Sequence, residues 1–246
     1  MARDPAALAR LAASEVAARA EAAVASRGRF TVALAGGTTP ARLHALLADP
    51  GEPFRARIAW ERTQVFFGDE RHVGPDHPDS NYGAARATLL GRVPLPPGAV
   101  HRVRGEVPDA AAAAGEYERE LRQVLAPEPG APPRLDVILL GMGGDGHTAS
   151  LFPGSEALDE RVRLVVAPWV ARLGAHRITL TLPVLDAART VLFLVAGPEK
   201  APRLAEVLEG PASELPAARV RPRDGELLWL LDEAAAALLR GPVERS

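Results

Sequence analysis

The chain has 246 residues, 47% of them hydrophobic and 24% charged, with 29 basic against 31 acidic residues for a net charge of −2. That length buries a real core as one domain spanning 1–246, and near-neutral charge with 4% aromatic residues excludes a chain held on nucleic acid or an anionic membrane by a global field. Cysteine is absent, which excludes disulfides, thiol nucleophiles and thiolate metal sites and suits a cytoplasmic protein, and no apolar run approaches the roughly 20 residues a bilayer span needs.

The predicted elements begin with a helix. Asp4 is a capping residue, Pro5 suits the first helical position, and the Ala-rich stretch to Ser26 has high helix propensity before Gly28 ends it. A strand at 30–35 leads into a helix at 40–48, and a strand at 64–67 into a helix at 81–90. After a helix at 109–125 come strands at 135–140, 163–167, 177–182 and 191–196, a helix at 198–208, a strand at 227–231 and a helix at 233–239. The runs Val137-Ile138-Leu139-Leu140 and Val191-Leu192-Phe193-Leu194-Val195 are apolar throughout, as expected of strands covered on both faces. The alternation predicts an α/β fold: a Rossmann-like, mostly parallel sheet with helices on both faces. The Pro- and Gly-rich connections at 94–98 and 127–133 read as surface loops.

Ligands of open α/β sheets bind at the carboxyl ends of strands, and four polar clusters follow strands here. Gly36-Gly37-Thr38-Thr39-Pro40 precedes a helix; its glycines allow close backbone approach, and the N–H groups of the helix terminus favour an anion such as phosphate. The same residues also read as a tight turn with a Thr cap. Gly68-Asp69-Glu70-Arg71-His72 has the groups for acid–base work or for bidentate phosphate binding through Arg71, or forms a solvated loop whose charges pair among themselves. Gly141-Met142-Gly143-Gly144-Asp145-Gly146-His147 carries four glycines in six residues, so it folds to bring backbone close to a ligand, and Asp145 stands where it orients the His147 imidazole or favours its charged form.

Lys200, in Gly197-Pro198-Glu199-Lys200, is the single lysine beside 28 arginines, which either marks a place for a compact ammonium or is left by chance in an arginine-rich composition. Arg177 is a weaker candidate of the same kind. No HExxH, facial-triad or EF-hand spacing joins Asp69, His72, His77, Asp145 and His147, so no metal is expected.

Taken together, Gly36 to Pro40, Gly68 to Arg71, Ser80-Asn81-Tyr82, Gly141 to Pro153, Arg177-Ile178-Thr179-Leu180-Thr181 and Gly197 to Lys200 resemble, in order and over nearly the whole chain, the blocks of the 6-phosphogluconolactonase family. The resemblance implies the fold shared with glucosamine-6-phosphate deaminase and ribose-5-phosphate isomerase. It also implies hydrolysis of 6-phospho-D-glucono-1,5-lactone, a small phosphorylated sugar lactone, without cofactor or metal, by a monomer or small homo-oligomer. His147 is then the base on water, with Asp145 supporting it. Gly143 and Gly144 are the oxyanion candidates, and Gly37, Thr38, Thr39, Arg71, Arg177 and Lys200 the phosphate candidates. Asp69 aligns with the deaminase base; holding a hydroxyl, supporting water or ordering the loop are its open roles. Deaminases carry an acid just before the loop's proline, where this chain has Phe152, which favours the lactonase over a sugar-phosphate isomerase or deaminase. A non-catalytic sugar-phosphate sensor is the remaining reading; such regulators add a helix-turn-helix domain, and none is expected before Gly36.

Overall fold

A computed structural model describes residues 1–211 and 213–241. Helix α1 (Pro5–Arg27) starts as its sequence predicts: the Asp4 carboxylate accepts the Ala7 N–H at 2.7 Å, and Gly28, at φ +74°, closes the helix in the left-handed region. Strand β1 (Phe30–Leu34) follows, then α2 (Thr38–Ala48), a short α3 (Pro53–Arg57), β2 (Thr63–Phe67) and β3 (Asp69–Arg71). Next come α4 (Asn81–Ala85), running into a π-helical turn at Arg86–Leu90, and α5 (Ala110–Leu125). The remaining elements are β4 (Val137–Leu140), β5 (Val165–Val166), β6 (Trp169–Val170), β7 (Ala175–Leu180), α6 (Leu182–Leu185), β8 (Thr190–Val195), α7 (Ala201–Glu209), α8 (Pro216–Arg219) and β9 (Glu226–Leu231).

Five strands form a wholly parallel sheet in the order β2-β1-β4-β8-β9. Successive residues of each strand point to opposite faces. One face buries Phe30, Val32, Leu34, Val137, Leu139 and Leu192 under α1 and α2. The other buries Ala33, Phe66, Ile138, Leu140 and Phe193 under α5 and α7. Both faces being covered is why these strands read as unbroken apolar runs.

Two expectations are corrected. The segments 163–167 and 177–182 do not extend the parallel sheet: β5 and β6 are two residues each and pair antiparallel with β7, which also pairs with β3, so these four strands make a second, small sheet. Pro168 separates β5 from β6, and proline has no N–H to continue a ladder. The segment 233–239 is a run of turns, not a helix. Buried Asp232 takes the Ala235 N–H at 2.7 Å while also binding the Gly197 N–H at 3.1 Å, which ties the segment to the loop after β8. Among the described residues no helix is long and apolar enough to cross a membrane.

Candidate active site

In this strand order the chain leaves β1 towards β2 on one side and returns to β4 on the other, so a crevice opens at the carboxyl ends of β1 and β4. A cavity of about 450 Å³ lies there. Gly36, Asp69, Arg71, Gly143, His147, Arg177 and Lys200 are among its lining residues.

On the β1 side, Gly36 has no room for a side chain: a Cβ there would lie 1.9 Å from Asn81 Oδ1. Gly37, at φ +101°, then turns the chain into α2, whose amino end has no side-chain cap. Gly37 lines the cavity, whereas Thr38 and Thr39, the first residues of α2, are not among its lining residues.

On the β2 side, the Phe67 N–H and C=O are both bound by the buried Tyr117 hydroxyl, at 2.8 and 2.9 Å, which fixes where β2 ends. Strand β3 then sorts its charges by alternation. Asp69 and Arg71 line the cavity. Glu70 points the other way, is buried, and accepts the N–H groups of Arg71, Asn81 and Tyr82 and the Ser80 hydroxyl; burial pushes its carboxyl up despite those donors. It holds the start of α4. His72 lies outside the cavity, with Nε2 2.7 Å from the Val107 carbonyl. The Asp69 carboxylate is itself held, by the Ser150 hydroxyl at 2.6 Å on one oxygen and by Asn81 Nδ2 at 3.2 Å on the other.

Arg71 and Arg177 are directly opposite each other across β3 and β7. Like charges in that register repel. Arg177 is pushed below its usual range, first by burial and then by the Arg71 charge. Lys200 reaches the same cavity from the single turn after β8, Pro198–Lys200. Four cations, Arg71, Arg172, Arg177 and Lys200, therefore line one cavity, and Asp69 is the one carboxylate among its lining residues.

On the β4 side the glycine loop folds back on itself: Gly143 N–H donates to the His147 carbonyl at 2.9 Å, and the Thr148 hydroxyl donates to the Gly141 carbonyl at 2.9 Å. His147 Nδ1 lies 2.5 Å from Asp145 Oδ1, which also accepts the His147 backbone N–H at 3.1 Å. Burial raises the Asp145 carboxyl, but hydrogen bonds from His147 and the charges of His147 and Arg172 outweigh it and hold the group below its usual range. A Cβ on Gly143 would stand 2.0 Å from His147 Nδ1 and 2.7 Å from Asp145 Oδ1, so glycine is required for the pair to form. The Gly143 N–H is already engaged, and Gly144, the other oxyanion candidate, is exposed on the loop and not among the lining residues. Asp145 is not among the lining residues; it stands behind His147.

Sequence reasoning missed Asn81, Ser150 and Arg172 as members of this site, and treated Phe152 only as a missing acid. Arg172 lies on a hairpin tip distant in sequence from the glycine loop, and nothing in its neighbours signals the contact. Among the described residues no three His, Cys, Asp or Glu side chains are grouped to hold a metal ion.

A doubly wound sheet with an Asp–His pair and converging cations at its switch point defines an α/β protein of anionic small molecules. The sequence model of the family described as glucosamine-6-phosphate isomerases/6-phosphogluconolactonase matches residues 3–229. The chain is 46% identical over 219 residues to a 6-phosphogluconolactonase of Nostoc, covering 88% of both chains. It is 43% identical over 227 residues to that of Homo sapiens, covering 89% of this chain and 84% of the human one. The solved 6-phosphogluconolactonase from Trypanosoma cruzi superposes with a TM-score of 0.84 at 32% identity, over 98% of this chain and 96% of the other. The chain belongs to the glucosamine-6-phosphate isomerase/6-phosphogluconolactonase family.

Proposed function

We propose that the chain hydrolyses 6-phospho-D-glucono-1,5-lactone to 6-phospho-D-gluconate in the oxidative pentose phosphate pathway, with His147 as general base. The observation that carries the mechanism is the Asp145–His147 pair, held by Gly143 at one end of a cavity whose lining includes Arg71, Arg177 and Lys200. The lactone is already oxidised at C1, so it needs no ring opening by a second acid, and Phe152 stands where the deaminase carries one.

With the Nδ1 proton donated to Asp145 Oδ1, Nε2 is the basic atom of the ring. Nε2 takes a proton from water as the water oxygen bonds to C1, and the carbonyl electrons move onto the carbonyl oxygen. Collapse of that intermediate restores the carbonyl and breaks the bond from C1 to the ring oxygen, which leaves with the proton from the imidazolium. The new carboxylic acid then ionises. Asp145 supports the imidazolium in between.

The phosphate sits against Gly37, Thr38 and Thr39 at the uncapped start of α2 and is met by Arg71, Arg177 and Lys200. Asp69, held by Ser150 and Asn81, orders the floor between the two ends rather than acting as a base. Holding the remote phosphate positions C1 and lets binding energy serve the chemistry.

We read the protein as a monomer or a small homo-oligomer, which sedimentation in solution tests. We read residues 1–246 as one domain because both hydrophobic layers lie on a single sheet; one cooperative unfolding transition tests that. We read the protein as cytoplasmic; a phosphate ester does not cross membranes unaided, so the enzyme must share the compartment of its substrate.

The test pairs two substrates. Loss of freshly generated lactone well above its spontaneous rate, with no ammonia released from glucosamine 6-phosphate, supports the proposal. Ammonia release with background lactone decay supports the deaminase instead. Phosphorylated sugars that raise the melting temperature without turnover of either substrate support the sensor.

A further inference from the structure

The Asp145 carboxylate has a second partner that the hydrolysis described above does not use. Between β6 and β7 the chain turns over in four residues: a single turn at Ala171–Leu173, then Gly174 at φ +58°. The tip of this hairpin reaches the cavity through Arg172 and Leu173. Arg172 Nη2 lies 2.8 Å from Asp145 Oδ2, while Oδ1 of the same carboxylate faces His147 Nδ1 at 2.5 Å. The guanidinium carbon also lies 4.5 Å from the centroid of the Phe152 ring, and the His147 ring lies 4.5 Å from that same centroid at a tilt of 39°. Phe152 is therefore a platform shared by the imidazole and the guanidinium.

We propose that Arg172 is a positioning residue of the lactonase site: stacked on Phe152, it occupies Asp145 Oδ2 and commits Oδ1 to the imidazole. A carboxylate with both oxygens engaged cannot rotate to offer a lone pair elsewhere, so the Nδ1 proton and the basic Nε2 keep their places. The positive charge has a second effect. An unopposed Asp145 stabilises imidazolium and leaves less of the base unprotonated; Arg172 offsets part of that charge and favours the neutral ring. His147 and Arg172 are the charged partners of Asp145, and the charged groups sharing the cavity with His147 are Asp69, Arg71, Arg177, Lys200 and Arg172. Because Arg177 lies five residues further along the same hairpin, one element presents a cation to each end of the substrate site.

This inference rests on His147 being the base, so the experiment separates the two. Turnover, KM and the acid limb of the turnover profile are measured for wild type, Arg172→Ala and Arg172→Lys, with spontaneous decay subtracted and melting temperature recorded for each. For Arg172→Ala we expect turnover to fall about tenfold with KM changed less than about twofold, and the acid limb to move to higher pH. Arg172→Lys keeps the charge without the planar fork, so it restores the acid limb and only part of the turnover. An unmoved acid limb in Arg172→Ala, or a loss carried by KM instead of turnover, overturns the proposal; the second result would make Arg172 a direct substrate contact. Wild-type turnover in His147→Ala, run alongside, would instead remove the reading of His147 on which this one stands.

Discussion

The two edges of the parallel sheet are made by the same strands and treat charge in opposite ways. At the amino edge, buried Asp136 accepts the Thr31 N–H at 2.8 Å and the Thr31 hydroxyl at 2.9 Å, and pairs with Arg27 at 2.9 Å and Arg189 at 3.4 Å. Every oxygen there is satisfied from within. At the carboxyl edge, Arg71 and Arg177 face each other and Lys200 joins them, with the neighbouring carboxylates tied to Ser150, Asn81, His147 and Arg172. The amino edge surrounds one fully held carboxylate with arginines, although the buried Arg189 Nε makes no hydrogen bond; the carboxyl edge leaves cations converging on a cavity that suits an anion.

If the carboxyl edge is built for chemistry, crowding it should cost rate and little stability. Gly143→Ala places a methyl group against His147 Nδ1, and turnover should fall by about a hundredfold or more, as misplacement of a catalytic group does. A melting temperature near wild type shows that the loss is in the site.

A histidine outside the site sharpens the same contrast. His44, on α2, is buried with Nε2 unpartnered, and desolvation pulls it down to about 4 from 6.5. The unfolded chain therefore binds a proton between pH 6.5 and 4 that the folded chain does not. Acidification through that window should destabilise the fold by up to about 3 kcal/mol at this one residue. Denaturant melts of wild type and His44→Leu check it: the variant should lose that component of acid sensitivity.

The amino edge should respond in the opposite sense to the site. Asp136→Ala leaves the Thr31 donors and two guanidinium groups without their acceptor, and stability should fall by about 2 kcal/mol while activity per folded molecule is unchanged. The smallest expected effect is that of Arg177→Ala. KM should rise about tenfold through loss of a charge-assisted bond, and stability should hold or rise slightly because Arg71 loses an opposed like charge. A melting temperature well below wild type would mean that this cation is structural after all.

Much of this division is legible in the sequence because it is local. The apolar runs, the Asp4 cap and the glycine loop each depend on neighbours within a few residues, and the sheet, α1 and the Asp145–His147 pair follow from them. What is not legible depends on distant pairing. The two-residue strands β5 and β6 carry too little pattern to show a direction, and β7 reads as one more strand until its partners are known. The Gly68–His72 cluster is similarly opaque. Only the direction of β3 reveals that Asp69 and Arg71 face the cavity while Glu70 caps α4. Arg172 is invisible for the same reason, since an exposed arginine at a hairpin tip, its side chain 52% accessible, looks like any other surface residue until the tip is folded over Asp145.

The most direct measurement is the decay of freshly generated 6-phosphogluconolactone, with EDTA present, for wild type and His147→Ala against spontaneous hydrolysis. The account predicts rapid loss with wild type and a rate for the variant reduced by about a hundredfold to ten-thousandfold, towards background. A variant that consumes the lactone as fast as wild type would contradict it, and would show that the chemistry at the carboxyl edge does not pass through the imidazole.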